Sequence, residues 1–135
     1  MSGYQKYKEQ TVLSMSNIEL LLLLYDEAIS RLSKAEIAVE DGAWDIFEDC
    51  LRRATRIIRY LGDILDMSRQ PLAGDLERIY NYLIYDISRI KAGRKRQKAE
   101  IGRIIHILSE LREAFDEAGR RVNDSHYTQR RSVLG

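Results

Sequence analysis

The side chains in this chain that could most readily act in catalysis or bind a metal are two histidines, His106 and His126, and one cysteine, Cys50. Helical bundles hold di-iron centres with Glu-x-x-His pairs that project from facing helices. The residue three positions before His106 is Arg103, and the residue three before His126 is Asn123, so neither motif is present. A single cysteine provides neither a disulfide nor a thiolate zinc site. We therefore predict no metal, no cofactor and no catalytic residue.

His106 leaves one alternative open, a histidine phosphotransfer bundle or another signalling bundle. Such a protein needs an exposed histidine on a helix with a supporting basic residue. His106 is flanked by Ile105 and Ile107, and Glu110 follows four residues later. We favour a structural interpretation, in which His106 lies at the edge of the core and pairs with Glu110. Because the sequence also lacks a nucleophile elbow, a phosphate loop and a Cys/His couple, we predict that the protein is not an enzyme.

Five consecutive leucines at 20–24 follow a strong helix-start signal. Ser16 lies three residues before Glu19, which is the spacing of a capping box. Each residue turns a helix by about 100°, so five leucines in a row point in every direction, whereas a surface helix needs only one apolar stripe. The run must be covered on several sides or leave one face for a partner. It is too short to cross a bilayer and lacks the basic start of a signal peptide, so we expect a cytoplasmic protein with no membrane insertion.

Apolar residues recur at three- and four-residue steps in four segments of the chain. This spacing predicts helices over about 16–41, 44–67, 75–91 and 97–118, with Gly42, Gly93 and Gly119 as their stops. Short links make consecutive helices antiparallel neighbours. We therefore predict an all-α protein, an up-down-up-down four-helix bundle over 16–119. An extended N-terminal arm (1–15) precedes it and a disordered tail (120–135) follows.

Charge is abundant but balanced. The 22 basic and 21 acidic residues give a net charge of +1, which argues against a dedicated nucleic-acid binder. One basic cluster surrounds the third link, at Lys91, Arg94, Lys95, Arg96 and Lys98. We interpret it as charge that complements a helix dipole and solubilises a turn; a patch for an anionic partner is the alternative.

Five segments, in order, resemble the FliS family of flagellar secretion chaperones. They are the tyrosine-containing arm ending in Ser-Met-Ser at 14–16, Leu-Leu-Leu-Leu-Leu-Tyr-Asp-Glu-Ala-Ile at 20–29, the apolar spacing of 54–66, Ile-Tyr-Asn-Tyr-Leu at 79–83, and Leu-Arg-Glu-Ala-Phe at 111–115. The chain differs from the family at Asn17, where a proline is usual, and at Glu27, where the family often has glycine. It also differs at Tyr85-Asp86, where an arginine pair is frequent. The last change alters charge beside an expected binding surface.

The resemblance implies a cytoplasmic chaperone that is not an enzyme. Similar proteins bind the C-terminal segment of flagellin, which is disordered in the free monomer, and so prevent premature polymerisation. They then deliver flagellin to a membrane protein of the export gate. An amphipathic segment would lie in hydrophobic grooves between helices. The candidate partner-binding residues are Tyr7, Leu13, Leu22, Tyr25, Ile29, Ile58, Leu61, Tyr82 and Tyr85.

The N-terminal arm has a predicted role of its own. It is polar, yet it carries Tyr7 and Leu13. A tethered segment covers a neighbouring groove readily, because its effective concentration is on the order of millimolar. We predict that Tyr7 and Leu13 cover a groove near the first helix and that flagellin displaces part of the arm.

Overall fold

The structure, a computed structural model, describes the backbone of residues 15–66, 73–93 and 97–134 and the side chains of 17–65, 74–93 and 97–121. Four helices account for nearly all of these residues: α1 (Met15–Glu40), α2 (Trp44–Asp66), α3 (Ala73–Ala92) and α4 (Gln97–Leu134). The described ranges contain no strand. The predicted all-α fold is confirmed, and α1 begins one residue before the predicted cap at Ser16.

Each helix runs antiparallel to the next. α1 packs against both α2 and α4, while α3 packs mainly against α2 and makes a smaller contact with α4. Glu40 at the end of α1 pairs with Lys98 at the start of α4, which fixes the opposite directions of these two helices. Asp86 of α3 reaches Arg103 of α4 in the same manner, with 2.7 Å between Oδ2 and Nη2. The up-down-up-down bundle is therefore confirmed.

The turn between α1 and α2 is closed by Gly42, as predicted. Its φ is 69°, a left-handed conformation that costs glycine little because it has no Cβ. The Ala43 N–H donates to the Ala38 carbonyl (2.9 Å) and the Gly42 N–H donates to the Val39 carbonyl (3.3 Å). These two bonds form a Schellman motif, which satisfies carbonyls that the helix end leaves without partners. α2 then begins at Trp44, as predicted.

The end of α3 is capped differently from the prediction. Gly93 follows the helix directly, but its φ is not positive, and its N–H still donates to the Arg89 carbonyl at 3.0 Å. Gln97 supplies the cap instead: its buried side-chain amide donates to the carbonyls of Ile90 (2.9 Å) and Gly93. Gly93 therefore follows the end of α3, as predicted, but a side chain from the next helix satisfies the free carbonyls in place of a left-handed glycine cap.

The predicted end of the fourth helix at Gly119 is wrong. α4 continues through Gly119 to Leu134, so residues 120–134, which we expected to be disordered, are helical. Arg120 and Arg121 pair with Asp116 and Glu117, each four residues earlier, which favours helix on both sides of the glycine. Gly119 serves close packing: a Cβ built there would lie 2.9 Å from Cγ2 of Ile18 in α1.

A buried pair of tyrosines crosses the centre of the bundle. The hydroxyl of Tyr25 in α1 hydrogen-bonds the hydroxyl of Tyr80 in α3, and both side chains are buried. The ring of Tyr25 also contacts Phe115 of α4, with 5.7 Å between ring centroids. Burial raises the pKa of Tyr80 to about 12 and raises the pKa of Tyr25 still further. Both hydroxyls therefore stay protonated, and the pair ties three helices together.

Candidate partner-binding surfaces

The leucine run is only partly covered by the bundle. Leu21 is fully buried, and Leu22 and Leu24 are half-buried against the core. Leu20 and Leu23 remain exposed, and 66% of Leu23 is accessible to solvent. The structure therefore agrees with the second possibility inferred from the sequence, that one face of this run is left open.

The exposed leucines belong to a larger apolar surface. α1 and α2 are antiparallel and joined by a short turn, so the start of α1 lies level with the end of α2. At that end of α2, Tyr60 is exposed, while Ile57 and Ile64 are half-buried against the core. We call the surface formed by Leu20, Leu23, Ile57, Tyr60 and Ile64 the leucine face. Exposed apolar side chains gathered at one end of a helix pair are typical of a partner-binding site.

A second apolar surface lies along the junction of α3 and α4. Tyr82 and Tyr85 project from α3 into solvent, with 68% of Tyr85 exposed. Three aliphatic side chains border them and are half-buried: Ile79 of α3 with Ile107 and Leu111 of α4. We call these five residues the tyrosine face. Because α3 contacts α4 less than it contacts α2, the side chains along this junction are not fully covered.

Asp86 anchors one end of the tyrosine face. It is 2% exposed, and it accepts hydrogen bonds from Arg89 (2.9 Å to Nη2) and from Arg103 (2.7 Å to Nη2). Asp86 raises the pKa of both guanidinium groups through these hydrogen bonds. The sequence predicted that Tyr85-Asp86, in place of an arginine pair, alters charge beside a binding surface. In the structure the carboxylate of Asp86 is buried and joins α3 to α4.

The candidate residues from the sequence fall into four groups. Tyr82 and Tyr85 are exposed on the tyrosine face, whereas Leu22 and Ile29 are half-buried against the core. Tyr7 and Leu13 lie outside the described residues. The remaining three are fully buried in this conformation, and their part in partner binding stays a prediction: Tyr25, Ile58 and Leu61.

Sequence reasoning missed Leu20, Leu23 and Tyr60. A signal for them was present, since all three fall outside the three- and four-residue spacing that defines the core stripes of α1 and α2. Tyr25, Ile58 and Leu61 follow that spacing, which predicts a core position. Their burial agrees with that spacing.

No arrangement typical of catalysis or metal binding occurs in the described part of the chain. His106 pairs with Glu110 as predicted, with 3.0 Å between Nε2 and Oε1, but it is 72% exposed rather than at the core edge. Residues 17–65, 74–93 and 97–121 contain no group of three or more histidine, cysteine or acidic side chains that could hold a metal ion. None of the described helices is long and apolar enough to cross a membrane.

Comparison with known proteins identifies the family. Among curated proteins, none matches this chain. The family model described as flagellar protein FliS matches residues 1–122, which is most of the 135-residue chain. The matched range covers α1, α2, α3 and the part of α4 that packs in the bundle, and FliS is a family of flagellar chaperones. The chain therefore belongs to the FliS family.

Proposed function

We propose that this protein is a cytoplasmic export chaperone that binds the C-terminal segment of flagellin. Occupying that segment would prevent flagellin from polymerising early, and the complex would then be delivered to the membrane protein of the export gate. The observation that carries the proposal is the exposed apolar surface on a bundle whose core is already complete. Leu23 and Tyr85 are large apolar side chains that lie outside the core, so both are available to contact a partner.

The geometry suits an amphipathic helix as the ligand. The leucine face and the tyrosine face each draw side chains from two antiparallel helices and include half-buried aliphatic side chains. A helix presents anchors at i, i+3, i+4 and i+7, which suit the space between two such helices. Burying one leucine or phenylalanine side chain contributes roughly 1.5–3 kcal/mol, so a few anchors supply the driving force. Ordering a disordered segment costs part of that gain and keeps the complex reversible.

Titration calorimetry with the last few dozen residues of the cognate flagellin tests the proposal. We expect one-to-one binding with a negative heat-capacity change, because apolar surface is buried. Helicity by circular dichroism should exceed the sum of the two free partners. Absence of heat at several temperatures, together with unchanged helicity, would lead us to abandon flagellin as the ligand.

Matched variants locate the contact. Leu23→Ser and Tyr85→Ser should each weaken flagellin binding by about tenfold or more, because each deletes a large apolar side chain from a proposed groove. Ile46→Ser is the control: Ile46 is equally exposed but lies on the first turn of α2, at the opposite end from Tyr60. If Ile46→Ser weakens binding as much as Leu23→Ser and Tyr85→Ser do, neither face is the specific site.

The N-terminal arm stays a prediction, and it has its own test. If the arm covers a groove in the free protein, it competes with flagellin and lowers the apparent affinity by the fraction of time the groove is closed. Deleting residues 1–12 should raise the association rate for the flagellin segment and promote self-association. Amides from Tyr7 to Leu13 should exchange slowly in the free protein and faster with flagellin bound. Exchange at random-coil rates in the free protein would contradict the covering role.

A further inference from the structure

A third groove, between α2 and α3, belongs to neither apolar face. Its first part is a hollow of about 350 Å³. The floor is apolar and consists of Leu51 and Ile87, both buried, with Ile84, which is half-buried. Thr55 and Ser88 add hydroxyl groups along the sides. The floor therefore favours apolar ligand groups, while the walls can form hydrogen bonds.

The rim of this hollow is basic on both sides. Arg52, Arg56 and Arg59 come from α2 and Lys91 comes from α3, and none of the described residues that line the hollow is a carboxylate. Arg52 lies 3.7 Å from Asp49, outside the hollow. Within the described part of the chain, Arg56, Arg59 and Lys91 form no ion pair. Three cations around an apolar floor are thus available to a ligand.

The groove continues toward the C-terminal end of α2, and the charge of its lining changes from positive to negative. A second hollow, of about 230 Å³, shares Arg59 and Ile84 with the first. Its lining includes the carboxylates of Asp63 and Glu77 and the amide of Asn81. From Arg52 to Asp63 the groove follows about three helical turns of α2, or roughly 17 Å at 1.5 Å per residue. One end is therefore basic, the other is acidic, and the floor between them is apolar.

We propose that this charged groove, lined by Arg52, Arg56, Lys91, Asp63 and Glu77, docks an amphipathic helix of a second protein partner in one fixed direction. The acidic end of that helix lies between Arg56 and Lys91, and its basic end lies over Asp63 and Glu77. Its apolar stripe packs on Leu51, Ile84 and Ile87. Opposite charges at the two ends penalise the reversed orientation, so the groove selects direction as well as composition.

Charge excludes the simplest other occupants. A nucleic acid carries negative charge along its whole length, so the half of the groove that holds Asp63 and Glu77 would repel it. The chain's own ends are also unsuited to the basic half. Residues 1–14 contain two lysines and one glutamate, and residues 120–135 contain four arginines and one aspartate. The occupant is therefore a helix from another protein.

A pair of designed peptides tests this directly. The probe is a stapled helix of about 16 residues with a leucine stripe, glutamates in its first half and lysines in its second; its twin has the same composition, but its glutamates and lysines alternate along the whole length, so neither end is acidic or basic. Fluorescence anisotropy should show the probe binding about tenfold more tightly than the twin. Because the discrimination is electrostatic, it should shrink in about 0.5 M salt.

Matched variants connect the binding to the groove. Arg56→Ala/Lys91→Ala removes one cation from each side of the rim and should weaken probe binding about tenfold. Arg53→Ala/Arg78→Ala removes the same charge from α2 and α3 outside the groove and should leave probe binding unchanged. Gly62→Leu fills the second hollow with a side chain and should also weaken the probe, with the fold monitored by circular dichroism.

Four results would overturn the proposal, the last of them a loss of flagellin affinity. The first is equal binding of probe and twin, and the second is an effect of Arg53→Ala/Arg78→Ala as large as that of Arg56→Ala/Lys91→Ala. The third is displacement of the probe by a single-stranded oligonucleotide, which would assign the groove to nucleic acid. The flagellin segment keeps its affinity in Arg56→Ala/Lys91→Ala if the two sites are independent. A parallel loss of flagellin affinity would make the groove part of the flagellin site and contradict a second partner.

Discussion

Two glycines inside helices give a stringent test of the bundle's geometry, because their surroundings differ. In Gly62→Ala the new Cβ would meet only Cδ2 of Tyr80, at 3.7 Å, which is ordinary van der Waals contact. In Gly119→Ala the new Cβ would lie 2.9 Å from Cγ2 of Ile18, and Ile18 is buried. An alanine side chain therefore fits at position 62, whereas at position 119 it comes too close to Ile18.

The magnitudes follow from two effects. Alanine is favoured over glycine in a helix interior by roughly 1 kcal/mol, so Gly62→Ala should stabilise the protein by about that amount. At Gly119 the same gain is set against overpacking, which costs typically 1–3 kcal/mol because the branched side chain of Ile18 has little freedom to turn. Gly119→Ala should therefore destabilise by about 1 kcal/mol on balance.

Urea unfolding followed by circular dichroism measures both changes at constant m-value. Ile18→Ala removes the obstructing methyl group, so a double-mutant cycle with Gly119→Ala should show a favourable coupling energy of about 1 kcal/mol or more. If Gly119→Ala stabilises as much as Gly62→Ala, then α4 does not approach the start of α1 as described, and the packing argument fails.

Three further predictions concern stability and chemistry. Tyr80→Phe should cost about 1–3 kcal/mol by leaving the buried Tyr25 hydroxyl unpaired, and adding Tyr25→Phe should recover most of that loss, as measured by urea unfolding. The raised pKa of both tyrosines means that unfolded tyrosines ionise from about pH 10 while the folded pair stays protonated. Stability should therefore fall between pH 10 and about 12 in the wild type, and fall less in the double Phe variant; equal pH profiles would contradict this. Asp86→Asn should lower stability by about 1–3 kcal/mol, because both arginines lose a charged acceptor; an unchanged urea midpoint would refute that Asp86 joins α3 to α4. His106→Gln should leave flagellin affinity within about twofold, since the side chain is exposed and lies outside both faces, whereas acid-labile phosphate on His106 would support a phosphotransfer role.

Helix periodicity predicted the fold because local and tertiary preferences agree in this chain. The start of α2 and the Gly42 turn followed from sequence signals that are satisfied within a few residues. The cap of α3 and the course of α4 through Gly119 have another origin. Gln97 caps α3 from the next helix, and Gly119 packs against Ile18, about 100 positions away in the chain. A glycine in a sequence does not show whether it ends a helix or permits close packing.

The binding surfaces were less predictable than the fold, for a related reason. Tyr25 could be core or surface by its chemistry, and only the hydroxyl of Tyr80 across the bundle makes full burial of Tyr25 favourable. The sequence alone likewise suggests a surface position for Asp86, because it does not show that Arg103 of α4 lies beside this carboxylate. The charged groove joins residues from two helices whose relative rotation the sequence does not specify.

We propose that flagellin lies on the exposed apolar faces, and site-specific photo-crosslinking is a direct test of this placement. p-Benzoylphenylalanine would replace Leu23, Tyr85 or Ile46 in otherwise native protein, and each variant would be irradiated with the purified flagellin C-terminal segment. We expect one-to-one crosslinks from positions 23 and 85, mapped by mass spectrometry to the flagellin segment, and little or none from position 46. Equal crosslinking from all three positions, or crosslinking from position 46 alone, would contradict it.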